Sequence, residues 1–241
     1  MKRSFKLGAM AVACAAGVMV SAGAANFTSS ADRLHEVGLF QGTGMTASGA
    51  PQYDLDRAPT RAEAAVMLVR LLGKEADAKA LTYTAPFTDL EGWEAPYVQY
   101  LYDNKLTTGA TATTFEPKAK CSAQMYTTFL LRSLGYSDAQ NGDFAYTGAL
   151  DFAADHVGLI DESFCDTNNF LRDNVAAMSL EALATPVKAT DITLLDKLIA
   201  DGAIDQIKAA PLSQFIDLAE SYNKAVSTPI TRAEQDVTAR M

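Results

Sequence analysis

The sequence predicts a mainly α-helical protein in which three helix-loop-helix units share a central bundle of three apolar helices. One apolar pattern with a turn recurs at 34–40 (LHEVGLF), 101–107 (LYDNKLT) and 154–160 (ADHVGLI). A second pattern alternates with it, at 60–73 (TRAEAAVMLVRLLG), 122–135 (SAQMYTTFLLRSLG) and 171–184 (LRDNVAAMSLEALA). Such spaced self-similarity indicates one structural unit used repeatedly.

The two patterns predict two kinds of helix. The first follows an amphipathic stretch, and Gly38 and Gly158 stand where a helix ends in a left-handed residue. The second is apolar almost all round: from Ala64 to Leu72 only Arg70 is charged, which indicates burial between other helices. A single unit cannot bury that surface, so we expect the units to pack as one domain.

The N-terminus has the pattern of a secretory signal peptide over residues 1–25. Lys2, Arg3 and Lys6 precede an apolar, small-residue run that ends in SAGAAN, with cleavage expected after Ala24 or Ala25. An uncleaved anchor is less favoured, because the run is poor in Leu, Ile and Phe and a stable span needs about 20 strongly apolar residues. We therefore expect a secreted protein with no stable membrane span after cleavage.

The charge of the chain limits its partners. The formal net charge is −9, and loss of the three signal-peptide cations gives −9 − 3 = −12. An acidic exported protein is a poor general binder of nucleic acid or anionic lipid. It can bind an anionic polymer only through a few placed cations.

The motif Thr-Arg-Ala-Glu opens the first apolar helix. Thr60 can cap the helix and Glu63 can reach back to the Thr60 amide, as in a capping box. Arg61 is not explained by local stability, because a cation in the first turn opposes the helix dipole. We expect its guanidinium to lie beside free helix amides and to form a site for a carboxylate or phosphate.

Residues 87–143 carry a resemblance to a known family. They open with Phe87-x-Asp89, continue with Trp93 and an apolar helix, and pass through a Phe115-x-Pro117 loop into the second helix. This order resembles an S-layer homology repeat. Residues 26–86 resemble a first repeat with its linker, and 144–186 a degenerate third.

The resemblance implies a pseudo-threefold helical module of non-catalytic, exported surface proteins. Such modules attach to the wall of Gram-positive-type bacteria by binding an anionic secondary cell-wall polysaccharide, often one with pyruvyl ketals. It implies that Arg61, with Glu63 of the same motif, and Trp93 bind this ligand. Trp93 could instead be a packing aromatic.

The other two copies of the motif are altered. In the second copy Ala123 stands at the arginine position, so its cation is lost unless Lys118 or Lys120 substitutes. In the third copy Arg172 is kept but Asn174 replaces the glutamate. We therefore expect the main site at Arg61 and a weaker one at Arg172.

No motif indicates catalysis, a cofactor or a metal. The sequence has no Gly-rich phosphate loop, GxSxG elbow, HExxH or CxxC, and we expect no enzyme. Cys121 and Cys165 remain outside the signal peptide. In an exported chain they could form one disulfide or stay as free thiols.

Residues 187–241 have no predicted role. A further copy of the first pattern lies at 198–204 and an amphipathic helix at 212–226, but no apolar second helix follows. This extension could dock on the module, mediate self-association or couple to a partner. The second Thr-Arg-Ala-Glu, at 231–234, is expected to cap a frayed turn that binds nothing.

The alternative function is a structural or assembly protein whose repeats make protein contacts instead of binding glycan.

Overall fold

The computed structural model describes residues 27–161 and 164–227, and this part of the chain is mainly helical. The mainly α prediction is confirmed. The predicted signal peptide and the second Thr-Arg-Ala-Glu motif lie outside the described residues.

The helices follow the order of the two sequence patterns. The first unit contains α1 (Thr28–Glu36), the two-stranded antiparallel hairpin of β1 (Gly44–Met45) and β2 (Pro51–Gln52), α2 (Arg61–Leu71) and α3 (Glu75–Lys79). The second contains α4 (Ala95–Asp103) and α5 (Ala123–Ser133). The third contains a 3-10 turn (Tyr146–Gly148), α6 (Ala149–Phe152), a π turn (Ala153–Val157) and α7 (Arg172–Ala184). The extension forms α8 (Leu194–Ala200) and α9 (Gln206–Ser227).

The three apolar helices form the centre of the molecule. We call α2, α5 and α7 the central helices; each contacts the other two. Every residue of α7 is buried, as the absence of a polar face predicts. The first helix of each unit packs outside them: α4 on α2, α6 on α5 and α1 on α7. The contact of α1 with α7 closes the circuit, and we call it the closing contact; an exact threefold rotation stays a prediction.

The C-terminal extension packs on this module. Helix α8 packs against α7, and α9 packs against α1 and α8, with Leu198, Ile204 and Ile216 buried. The guanidinium of Arg33 on α1 lies 3.7 Å from the centre of the Phe215 ring. The described part of the extension therefore docks on the module.

Gly73 shows why α2 ends where it does. Its φ is +65°, and a Cβ there would lie 2.3 Å from the Ala203 carbonyl oxygen. Only glycine combines this left-handed conformation with so close an approach. Within the described residues, no helix has the length and apolarity needed to cross a membrane.

Candidate functional site

The capping box at the start of α2 is present as predicted. The Glu63 amide donates to Thr60 Oγ1 at 3.2 Å, and the Thr60 amide donates to Glu63 Oε2 at 2.8 Å. Thr60 and Glu63 therefore have the structural role that their spacing indicates.

The amides beside Arg61 are not free, and that part of the prediction was wrong. The Arg61 amide donates to the Ala119 carbonyl at 2.9 Å, and the Ala62 amide donates to the Pro117 carbonyl at 3.1 Å. Both acceptors belong to the loop before α5, in the next unit. Because that loop satisfies the amides, any anion at this helix end must be bound by side chains.

The Arg61 side chain points into the next unit too. Its Nε donates to the Phe115 carbonyl at 2.7 Å, and an Nη lies 2.9 Å from the sulfur of Met125. The guanidinium is half-buried, 5.1 Å from the Phe115 ring centre. No carboxylate of the described chain lies within 4 Å of it.

Arg172 makes the same set of contacts at the preceding interface, between the third and first units. Its amide donates to the Arg57 carbonyl at 3.0 Å and its Nε to the Tyr53 carbonyl at 2.8 Å. Its two Nη atoms lie 3.5 Å from the Met67 sulfur and 3.4 Å from the Gln41 carbonyl. Each arginine therefore begins one central helix and reaches across to the next unit.

Arg172 is only 4% exposed. Burial lowers its pKa, but a guanidinium stays charged at any physiological pH. Like Arg61, it has no carboxylate of the described residues within 4 Å. The structure thus places an almost fully buried cation with no ion-pair partner among the described residues, which is costly unless an anion compensates it.

Arg172 lines a cavity of about 210 Å³, which we call the Arg172 pocket. Three of the four predicted ligand residues meet here, contributed by three different units. Its lining residues are Gln41, Gly42, Thr43, Glu63, Val66, Met67, Arg70, Trp93, Tyr97 and Arg172.

Arg61 and Glu63 belong to different pockets although they share one motif. Two residues apart on a helix, they point about 200° away from each other. Glu63 faces the Arg172 pocket, where both its oxygens accept hydrogen bonds from Arg57, at 2.6 and 2.8 Å. Burial raises the pKa of Glu63, but the hydrogen bonds from Arg57 and the Thr60 amide outweigh burial and lower it. Glu63 is therefore an ion-paired carboxylate in the pocket wall.

Arg70 and Tyr97 complete that wall and were not predicted. Both donate to Glu75 Oε1, at 3.0 Å from Arg70 and 2.7 Å from the Tyr97 hydroxyl. Burial raises the pKa of Glu75, but these bonds and one from Lys79 bring it down to about 2. Arg70 could have been identified from the sequence by its recurrence, since Arg132 occupies the same place in the second central helix.

Exposed aromatic side chains line both pockets. Trp93 is 56% exposed, so it is not a core residue. Tyr146 is 46% exposed. It holds the place of Trp93 in the third unit, eight residues before the first pattern in both cases. Sequence reasoning missed Tyr146 because Gln140 and Gly142 stand where the second unit has Phe87 and Asp89.

The second pocket, which we call the Arg61 pocket, has a volume of about 440 Å³. Its lining residues are Arg61, Thr107, Thr108, Gly109, Ala110, Glu116, Met125, Thr128, Phe129, Arg132, Asp138 and Tyr146. Arg132 forms a two-pronged ion pair with Asp138, at 2.8 and 2.7 Å. Met125 occupies the place that Glu63 has in the Arg172 pocket, so this pocket is less polar on that side.

The third interface, between the second and third units, lacks both of the arginines that line each of the other two. Ala123 stands where α2 and α7 have Arg61 and Arg172, and it is buried. Glu181 of α7 stands where the other central helices have Arg70 and Arg132. Lys118, which could have substituted, pairs with Glu91 on the surface instead, and Lys120 lines neither pocket.

The two cysteines outside the predicted signal peptide are not bridged in the structure. Cys121 and Cys165 are both free and buried, and burial raises their thiol pKa values to about 12 and about 11. Such thiols are unreactive at neutral pH. In the described residues no group of three or more His, Cys, Asp or Glu side chains could hold a metal ion.

Comparison with known proteins identifies the class. The S-layer homology domain family matches residues 86–122, which include Trp93 and the loop that Arg61 contacts. The chain therefore carries an S-layer homology domain.

Three relatives agree with this assignment. The chain is 30% identical over 112 residues to the middle cell wall protein of Brevibacillus brevis (strain 47) and, over the same length, to the surface layer protein of Brevibacillus choshinensis. These alignments cover 46% of the chain and 10% of each relative. It is 28% identical over 109 residues to an endoglucanase of Bacillus sp. (strain KSM-635), covering 40% of the chain and 12% of that enzyme. The chain spans about a tenth of the length of these relatives. The domain match and the two Brevibacillus relatives indicate a protein of the bacterial cell wall or surface.

Proposed function

We propose that this protein attaches to the cell wall, without catalysis, by binding an anionic secondary cell-wall polysaccharide in the Arg172 pocket. The observation that supports this is Arg172, a residue that is 4% exposed and whose guanidinium has no carboxylate partner in the described chain. The proposal moves the main site from Arg61 to Arg172.

An anionic substituent of the glycan supplies the missing charge. A carboxylate suits a guanidinium, because its two oxygens can accept two parallel hydrogen bonds. Pyruvyl ketals carry such a carboxylate on a sugar ring. In the Arg172 pocket the Glu63 carboxylate is neutralised by Arg57 at 2.6 Å, so it does not cancel the charge of Arg172.

The size and wall of the pocket favour one sugar-sized group. The pocket has a volume of about 210 Å³, smaller than the Arg61 pocket at about 440 Å³. Trp93 offers an exposed apolar face for one side of a sugar ring. Thr43 also lines the pocket; its hydroxyl donates to Asp54 at 2.6 Å and can still accept a hydrogen bond from a sugar hydroxyl.

The Arg61 pocket is a second, weaker site on the same polymer. Arg61 is more exposed than Arg172. Its unpaired charge therefore has a smaller desolvation free energy, and an anion that pairs with it gains less binding free energy. A repeating polymer can occupy both pockets, and the second contact then forms at a high effective concentration. We expect Tyr146→Ala to lower the apparent affinity for intact walls while single-site binding of a short glycan at Trp93 persists.

Sedimentation with purified wall sacculi tests the proposal. The mature protein should pellet with sacculi and stay in solution when the secondary polymer has been chemically stripped from them. Trp93→Ala should reduce pelleting at least about tenfold, a loss of ~1.4 kcal/mol. The matched control is Tyr102→Ala, which removes another exposed aromatic side chain, one that lines neither pocket.

Two outcomes would contradict the proposal. One is unchanged pelleting with stripped sacculi. The other is a Trp93→Ala protein that binds as well as the Tyr102→Ala control. Absence of pelleting together with concentration-dependent oligomers would favour the assembly role instead.

A further inference from the structure

The C-terminal extension contributes to a further cavity, which lies between the first unit and the turn from α8 into α9. Its volume is about 260 Å³, and we call it the extension cavity. The further copy of the first sequence pattern, at 198–204, ends in its wall after Gly202, which has the left-handed φ of +69°. The extension supplies Ala203, Ile204, Asp205 and Lys208 to that wall.

The extension cavity is built from the same parts as the two pockets. Residues at the end of a first pattern, or directly after it, line all three: 41–43 in the Arg172 pocket, 107–110 in the Arg61 pocket and 203–205 here. The tenth residue of a central helix completes each wall. It is Arg132 in the Arg61 pocket, and Arg70 in both the Arg172 pocket and the extension cavity. Because Arg70 lines both of them, the Arg172 pocket and the extension cavity adjoin.

Hydrogen bonds join these two cavities across Arg70. Glu75, in the wall of the extension cavity, accepts a hydrogen bond from Arg70 at 3.0 Å. It also accepts one, at 2.7 Å, from the hydroxyl of Tyr97 in the wall of the Arg172 pocket. The second Nη atom of Arg70 is accessible and has no hydrogen-bond partner among the described residues. A polymer that passes along Arg70 can therefore contact both cavities and accept hydrogen bonds from this guanidinium.

The charged residues of the extension cavity balance one another. Arg70 and Lys208 are cationic, and Glu75 and Asp205 are anionic. Lys208 is exposed and has no ion-pair partner in the described part of the chain. Asp205 Oδ1 accepts a hydrogen bond from the Lys208 amide at 2.9 Å, which leaves Oδ2 as an acceptor. A wall without net charge that offers both a donor and an acceptor suits hydroxyl groups, which donate and accept, better than it suits a second anion.

We propose that the extension cavity is a second subsite, which adjoins the Arg172 pocket and binds an uncharged sugar residue next to the anionic residue of the polymer. The inference rests on the proposed function, and it gives the extension a role in wall binding. Once the anionic residue is held at Arg172, its neighbour meets the extension cavity at a high effective concentration, so weak contacts there still raise the affinity. The extension thereby lengthens the binding cleft beyond the three units.

Filling the extension cavity tests the subsite. Ala76 of α3 is exposed and lines this cavity, so Ala76→Trp places an indole there without removing a hydrogen-bonding side chain. We expect pelleting with intact sacculi to weaken by at least about fivefold, the factor that one net hydrogen bond contributes. The matched control is Ala80→Trp, because Ala80 is exposed just after α3 and lines neither this cavity nor the two pockets. It should pellet like the unchanged protein.

A second pair of variants removes a charge instead of adding volume. Lys208→Met deletes the free donor and should weaken pelleting by about two- to fivefold. Lys197→Met is its control, since Lys197 is an exposed lysine of the same extension that pairs with Asp201 and lines none of these cavities. It should leave pelleting unchanged.

Fragments of the stripped polymer, fractionated by length, separate the subsite from the Arg172 pocket. Titration calorimetry compares the shortest fraction that binds with the fraction that is one sugar longer. The unchanged protein should bind the longer fraction about fivefold more tightly. Ala76→Trp should bind the shortest fraction normally and lose this gain.

The outcomes distinguish the subsite from the proposed function. Binding that is lost in Trp93→Ala but unchanged in both Ala76→Trp and Lys208→Met would overturn the subsite and leave the proposed function intact. Binding that none of these three variants changes would overturn both. An Ala76→Trp protein that binds the shortest fraction as weakly as the longer one would also overturn the subsite, because the tryptophan then acts on the Arg172 pocket.

Discussion

Replacing Arg172 by methionine should weaken wall binding at least about tenfold, a loss of ~1.4 kcal/mol, and leave the protein folded. The guanidinium makes one good hydrogen bond, 2.8 Å to the Tyr53 carbonyl, and two long contacts at 3.4 and 3.5 Å. A charge-assisted hydrogen bond contributes about 1.5–3 kcal/mol. Holding an unpaired ion out of water costs several kcal/mol. The cost exceeds the gain, so we expect the free energy of unfolding to stay equal or to rise by up to about 2 kcal/mol.

Methionine is chosen because it keeps the volume of the side chain beside Met67. Arg172→Ala would leave a cavity, and truncation of a large buried side chain costs about 2–5 kcal/mol, which would hide the electrostatic effect. Urea unfolding gives the stability, and sedimentation with sacculi gives the binding. Arg61→Met is the companion variant; its guanidinium is more exposed, so we expect a smaller change in both measurements.

One result would refute this reasoning. If Arg172→Met lowers the free energy of unfolding by more than about 2 kcal/mol, the arginine is a structural residue whose hydrogen bonds outweigh its desolvation. Wall binding by a stable Arg172→Met protein that equals binding by the unchanged protein would show that the Arg172 pocket is not the main site.

Two further predictions concern buried titratable groups. Cys121 and Cys165 should resist a thiol reagent in the native protein at pH 8 and react fully in urea, because burial raises their pKa values to about 12 and about 11; rapid native labelling of either would contradict their burial. Burial raises the pKa of Asp173 to about 6, so loss of its proton at higher pH should lower the free energy of unfolding. The free energy of unfolding relative to Asp173→Asn should be highest below about pH 4 and fall as pH rises through 6, by up to ~3 kcal/mol; urea unfolding from pH 4 to 7 measures this, and a flat difference would contradict it.

The helices were easier to predict from the sequence than the pockets. The central helices were predictable because an apolar run without a polar face can only be buried, and the capping box fixed the start of α2 through contacts between Thr60 and Glu63. The pockets depend on contacts between residues far apart in the chain. Arg172 reaches Tyr53, 119 positions away, and Arg61 reaches Phe115, 54 positions away. The motif identified both arginines but not the surface that each one completes.

The same geometry explains why degeneration of a motif affects a pocket in another unit. Ala123 begins the central helix of the second unit, yet the Arg61 pocket in that unit keeps its arginine, because Arg61 comes from the first unit. What the second copy lost is the cation of the third interface. The strength of the family resemblance within one repeat therefore does not measure the binding capacity of that repeat.

A single repeat of this protein cannot form either pocket. The Arg172 pocket takes Gln41 and Arg70 from the first unit, Trp93 from the second and Arg172 from the third. The Arg61 pocket likewise combines Arg61, Arg132 and Tyr146 from three units. Residues 86–122, which match the S-layer homology domain family, contain no complete pocket. The proposed binding therefore requires all three units to be assembled, and a ligand that binds only this folded form stabilises it according to its concentration relative to Kd. Glycan from the wall should raise the melting temperature of the whole described module, and it should have no effect on an isolated fragment of residues 87–143.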